Sequence, residues 1–159
     1  VSEARILVAQ GRSPEAEALL REALASEPAD EEALLLLAGI LLDTGREEAS
    51  LQLLRRAVDA RPESARARDA HARALHALHH DDPALGEAQE ARRLLALPEN
   101  AAHAASVYLT LVWCLREKRM LKEALAMAEE GLSRVSDAVL AQWAGTIEEE
   151  LAEAEKERC

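Results

Sequence analysis

Residues 29–62 read ADEEALLLLAGILLDTGREEASLQLLRRAVDARP, and the flanking sequence repeats this skeleton at a distance of 34 residues. Ala38 has counterparts in Ala4 and Ala72, and Leu41 in Leu7 and Leu75. Gly45 is matched by Gly11, Ala57 by Ala23 and Pro62 by Pro28. A shared period in small, apolar, turn and breaker positions marks one supersecondary unit that has been copied, and at this period the unit is a pair of antiparallel helices. Within the quoted stretch Asp30 caps a helix running to Leu42, and Asp43-Thr44-Gly45 turns the chain. A second helix then runs back over 47–60 before Pro62.

Upstream, a helix over 2–10 closes at Gly11-Arg12. Ser13-Pro14-Glu15-Ala16 reads as an N-cap, a proline at the first helical position and the start of a second helix. That helix carries Ala16, Leu19, Leu20, Ala23 and Leu24 on one stripe. Downstream, a helix over 65–78 keeps Ala72 and Leu75 in phase. His79-His80-Asp81-Asp82-Pro83 then reads as a longer loop where one glycine is expected. The step from Leu75 to its next counterpart, Leu115, is 40 residues. The extra residues are expected half in that loop and half around 98–102, leaving the register of the helix between them open. A fourth unit covers 104–117 and 121–135. Ser136-Asp137 caps a last helix over 138–157, with Leu140, Trp143, Ala144, Ile147 and Leu151 on one face. Its other face is Glu148, Glu149, Glu150, Glu153, Glu155 and Glu157, which suits a helix closing the end of a stack. The expected organisation is a repeat array over 1–136, in units of 1–30, 31–64, 65–103 and 104–136, and a capping helix over 137–159.

Composition agrees with an all-α chain. Hydrophobic residues make up 49% of the 159, yet aromatics are only 2% and phenylalanine is absent, so the core must be Leu, Ala, Val and Ile packing. Thirty acidic residues against 19 basic ones give a net charge of −11, which disfavours nucleic acid and anionic membrane surfaces as partners. No apolar run approaches the roughly 20 residues that span a bilayer. Val1 opens the chain inside a helical pattern, which predicts a cut or processed piece and leaves a removed targeting segment open. Cys114 and Cys159 offer neither a disulfide scaffold nor a four-cysteine zinc site, and the cytoplasm is the expected compartment.

The pattern of small-residue helix, Gly, Glu-Ala, Leu, Ala-Leu and Pro resembles the tetratricopeptide repeat. Gly11, Glu15-Ala16, Leu20, Ala23-Leu24 and Pro28 carry it, as do Gly45, Glu48-Ala49, Leu54, Ala57-Val58 and Pro62. The fourth unit keeps Leu111, Leu115, Glu123-Ala124-Leu125 and Leu132, with Gly131 in place of the family's alanine and Ser136 in place of its proline. The resemblance implies a right-handed α-solenoid of about four helix pairs, the first truncated and the third irregular, whose first helices line a concave groove. Carried onto this chain, the groove positions are Arg5, Leu35, Gly39, Leu42, Arg66, Asp69, Arg73, His76, Leu109, Trp113 and Arg116. Such a surface, apolar at both ends and basic between, suits a peptide or helix with apolar anchors around an acidic residue. The family's two-carboxylate clamp for chaperone tails is broken here, because Leu36 and Ala70 stand at its asparagine and arginine positions and only Arg66 matches in charge.

The implied function is a protein-interaction module, an adaptor or scaffold binding a partner segment in the groove. An alternative is a small acidic chaperone similar to those of type III secretion translocators. His71, His76, His79, His80, Asp81 and Asp82 form the one candidate metal cluster, and a metal- or pH-responsive regulator using loop 76–82 is the third reading. A hydrated loop is the better account of these histidines, so no metal or cofactor is expected. Nor is catalysis: there is no nucleophile elbow or phosphate-cradling glycine loop, and the helix phase of Cys114 predicts a buried thiol.

Overall fold

The computed structural model describes residues 1–157, so Cys159 lies outside the described residues. Among these are nine helices: α1 (Ser2–Ala9), α2 (Ser13–Ser26), α3 (Glu31–Asp43), α4 (Glu47–Ala60), α5 (Ala65–Ala77), α6 (Asp81–Leu94), α7 (Ala104–Glu117), α8 (Leu121–Arg134) and α9 (Ala138–Glu157). A 3₁₀ turn, Pro98–His103, precedes α7. Odd and even helices pair from α1/α2 to α7/α8, each pair stacks on the next, and α9 closes the far end against α7 and α8. This is an α-solenoid.

One turn is used four times. Gly11 and Gly45 both take φ +74°, and His79 and Arg119 take φ +59° in the same place. In each, the following N–H reaches back to a leucine carbonyl: Arg12 to Leu7 and Arg46 to Leu41 at 2.8 Å, His80 to Leu75 at 2.8 Å and Met120 to Leu115 at 2.9 Å. A left-handed residue with this backward bond satisfies the last carbonyls of the first helix and reverses the chain. The expectation of an enlarged loop at 79–83 is therefore corrected. His79 stands one period after Gly45 and does its work, so α6 holds the same register as α4. The added residues lie between Leu94 and α7. Asn100 anchors them: its Oδ1 accepts from the Ala65 N–H at 3.1 Å, and its Nδ2 donates to the carbonyls of Glu63 at 2.8 Å and Leu94 at 3.0 Å.

First helices begin on side-chain caps where the sequence offers one. Asp30 accepts from Ala33 N–H, Ser64 from Ala67 N–H and Asp137 from Leu140 N–H, at 3.0, 3.0 and 2.8 Å. Ser13 does not cap α2; it is the first helical residue, with Arg12 before it and no side-chain cap bond.

Core positions follow the period. Ala16, Ser50, Ala84 and Ala124 are buried at one level of the second helices, and Leu20, Leu54, Ala88 and Ala128 at the next. Small side chains there bring paired helices close, and the buried Ser50 hydroxyl donates to the Ala38 carbonyl at 2.7 Å. Ala57 and Ala91 are followed by Gly131, where a Cβ would meet Leu140 and the Tyr108 ring at 2.6–2.9 Å. The largest fully buried side chain, Tyr108, fills that space. On α9, Leu140, Ala144 and Ile147 are buried, while Trp143 and Leu151 pack against the core from the edge.

The third pair departs from its neighbours in chemistry. Leu34, Leu37 and Leu53 of the second pair have Arg68, His71 and Glu87 as counterparts, and these become Tyr108, Leu111 and Met127 in the fourth. Arg68 Nη1 bonds Glu87 at 2.9 Å, with His71 Nδ1 3.3 Å from the same carboxylate. The close approach of His71 and then the bond from Arg68 hold Glu87 below the usual carboxylate range.

Candidate functional site

Successive first helices α3, α5 and α7 present the same face to one side of the stack. Between them is a cleft of about 370 Å³. Leu35, Gly39 and Leu42 of α3, Arg73 and His76 of α5 and Trp113 of α7 line it, over Ala38, Leu54, Ala70, Ala74 and Ala77. These six are the ones among the eleven expected groove residues that converge. Ala38, Leu54 and Ala74 are buried beneath it together with Ser50, while Arg73 is exposed. Arg73 makes no ion pair among the described residues, and Trp113 is half-buried.

The remaining five are placed elsewhere. Arg5 is held by Glu32 at 3.0 Å. Arg66 lies beside the loops at the N-terminal ends of the first helices, with Arg61, Glu31 and His103. Leu109 packs into the core formed by α5 to α9. Arg116 Nε bonds Glu150 at 2.9 Å and its guanidinium lies 5.3 Å from the Trp143 ring centre, so it ties α7 to α9. Asp69 must be corrected outright. It is only 4% exposed, and its carboxylate accepts from the hydroxyls of Ser106 and of Thr110, the latter at 2.6 Å. Burial raises its pKa despite those bonds and despite Arg73 nearby. The signal missed was Ser106 and Thr110, two hydroxyls one helical turn apart on the facing helix.

The histidines do not converge. His71 faces Glu87, His76 Nδ1 lies 3.8 Å from Asp81, and His79 and His80 are exposed in the turn. No group of three or more His, Cys, Asp or Glu among the described residues is placed to hold a metal ion. Cys114 is buried and its thiol is pushed up to about 12, chiefly by desolvation, which leaves it without nucleophilic character at neutral pH. No helix among the described residues is long and apolar enough to cross a membrane.

The fold is an α-solenoid, and its first helices α3, α5 and α7 border one cleft. Residues 1–65 match the tetratricopeptide repeat family, and the described chain as a whole has the fold of tetratricopeptide-repeat proteins. PilF from Pseudomonas aeruginosa superposes with a TM-score of 0.83 at 18% identity, covering 96% of this chain and 67% of that one. MamA from Desulfovibrio magneticus RS-1 gives 0.74 at 17% identity, covering 98% and 85%. YrrB, described as a TPR protein with an unusual peptide-binding site, gives 0.65 at 20% identity, covering 91% and 72%. No curated protein matches the chain in sequence.

Proposed function

We propose that this protein is an interaction module, an adaptor or scaffold that binds a segment of another protein along its concave face. The observation that carries this reading is the cleft itself, where three helix pairs contribute a largely apolar floor, an exposed cation and a half-buried indole. Tetratricopeptide-repeat proteins generally mediate protein–protein contacts, and the peptide-binding site of YrrB makes a peptide ligand the natural first expectation. Trp and Arg are the side chains most enriched where binding energy concentrates.

A photo-crosslinking residue placed at Leu42 tests this, with one at Gln52 on the opposite side as control. The partner should be captured from position 42 and not from 52. Arg73→Glu should chiefly slow its association, since exposed charges govern encounter. Trp113→Ala should chiefly speed dissociation and weaken binding by about 2 kcal/mol. Capture from 52 alone, or capture unaffected by both substitutions, would place the partner elsewhere.

A further inference from the structure

Gly39 sits in the middle of α3 without any backbone need for glycine. Its φ is helical, and a Cβ built there would meet nothing within 4 Å. Glycine is the poorest helix former apart from proline, so an alanine would favour α3 and fit without a clash. The counterparts of Gly39 in the other first helices are large: Arg5, Arg73 and Trp113. Read along the sequence, this register position therefore runs arginine, gap, arginine, indole, and the last three meet at the cleft. The gap is flanked within α3 by Leu35 and Leu42, and all three line the cleft that Arg73 and Trp113 border.

We infer that Gly39 is a notch in the binding surface, seating one large apolar side chain of the bound segment while a neighbouring acidic residue of that segment reaches Arg73. This rests on the groove reading above and adds which chemistry the groove selects. Three features of the site support that occupant. The volume, about 370 Å³, suits one or two large side chains and no folded element. Beneath the notch the one polar side chain is Ser50, whose hydroxyl is spent on the Ala38 carbonyl, while the His76 imidazole at the border has its Nδ1 3.8 Å from Asp81. Arg73, exposed and without an ion pair among the described residues, is the cation within the lining. A polar side chain in the notch would lose its hydration for nothing, and a basic one would meet Arg73.

The test is selection of a displayed library of random twelve-residue peptides on the full chain and on four variants, Gly39→Leu, Gly39→Ala, Arg73→Glu and Trp113→Ala. The wild type should enrich peptides with Leu, Ile, Met, Phe or Trp within two residues of Asp or Glu. Gly39→Leu, which fills the notch, should weaken binding of an enriched peptide at least about tenfold, equivalent to 1.4 kcal/mol. Its melting temperature should stay level or rise, which separates filling from unfolding. Gly39→Ala should give a smaller loss. If enriched peptides tolerate Gly39→Leu but are lost with Arg73→Glu or Trp113→Ala, the groove stands and the notch is wrong. If enrichment shows no apolar–acidic pair, the inference fails. If nothing is enriched, or all four variants bind like the wild type, the groove reading falls with it.

Discussion

The carboxylate of Asp69 on α5 is clasped by the hydroxyl of Thr110 on α7 at 2.6 Å, with Ser106 on its other oxygen. A carboxylate with two neutral donors and no direct cation is an expensive way to join two helices, since hydroxyls do not replace the hydration of a full charge. The position belongs to the concave line in the sequence, yet these two donors draw it into the junction between the third and fourth helix pairs.

Asp69→Asn keeps the shape and removes the charge, so it should stabilise the protein at pH 7, by about 1 kcal/mol on the scale of relieving a buried charge. The sign with pH follows from the raised folded-state pKa of Asp69. Its favourable contribution is complete below the unfolded carboxylate value and is lost as pH rises through the folded one. The advantage of the amide should accordingly shrink as pH falls toward about 4. Thermal melts of both proteins across that range give the answer, and a variant less stable at pH 7 would show that the charge is compensated.

Glu17 behaves in the opposite sense. Arg46 reaches it with two bonds of 2.8 and 2.6 Å, joining α2 to the α3–α4 turn, and Arg21 adds two more at 3.1 and 2.8 Å. Hydrogen bonding from Arg46 first, then Arg21, brings its pKa down to about 2. The stabilisation is present above the unfolded glutamate value and is lost as pH falls through about 2. Because both arginines are exposed, the loss in Glu17→Gln should be only about 1 kcal/mol at pH 7. Urea titrations at pH 7 and near pH 2 should show that difference and then its disappearance.

His79→Gly should raise stability by about 0.5–1 kcal/mol. A side chain in the left-handed region costs about 1–2 kcal/mol, and the added freedom of glycine in the unfolded chain offsets part of that gain. Arg119→Gly should act alike, and the two should add, since they lie in different turns. Differential scanning calorimetry of the single and double variants is sufficient.

Gly131→Ala should be destabilising by about 1–3 kcal/mol, the range for forcing a methyl into a filled core. The same variant with Tyr108→Phe should not recover, because the contact is with the ring carbons and Cβ of Tyr108. Chemical denaturation of both decides it, and recovery in the double variant would point to the hydroxyl, which bonds Glu130 at 2.7 Å.

The array was legible because spacing is a one-dimensional property. Ala38 and Leu41 recur with their neighbours, and their burial follows from that recurrence. What escaped needs a third dimension or a rarer residue in a familiar role. His79 hid a turn because glycine is the usual signal for left-handed backbone, and the helix after it then lost its register. The resemblance implies an outward place for Asp69, but side-chain partners on the next pair decide whether such a residue is solvated. Leu35, Gly39, Leu42, Arg73, His76 and Trp113 could be named from the groove positions that the resemblance implies, whereas the pairing of Arg116 with Glu150 required the path of α9.

Repeated helix pairs carry a hazard that unique sequences do not: a pair can dock on the wrong neighbour during folding and still find a complementary shape. The cluster of Arg68, His71 and Glu87 bears on this. Were α6 to dock on α3 in place of α4, Glu87 would take the position of Leu53 against Leu34 and Leu37. Its carboxylate would then be buried among leucines, without the arginine and histidine that hold it in the native pairing. Polar side chains at one level of one pair thus distinguish otherwise similar units and disfavour that misplaced docking.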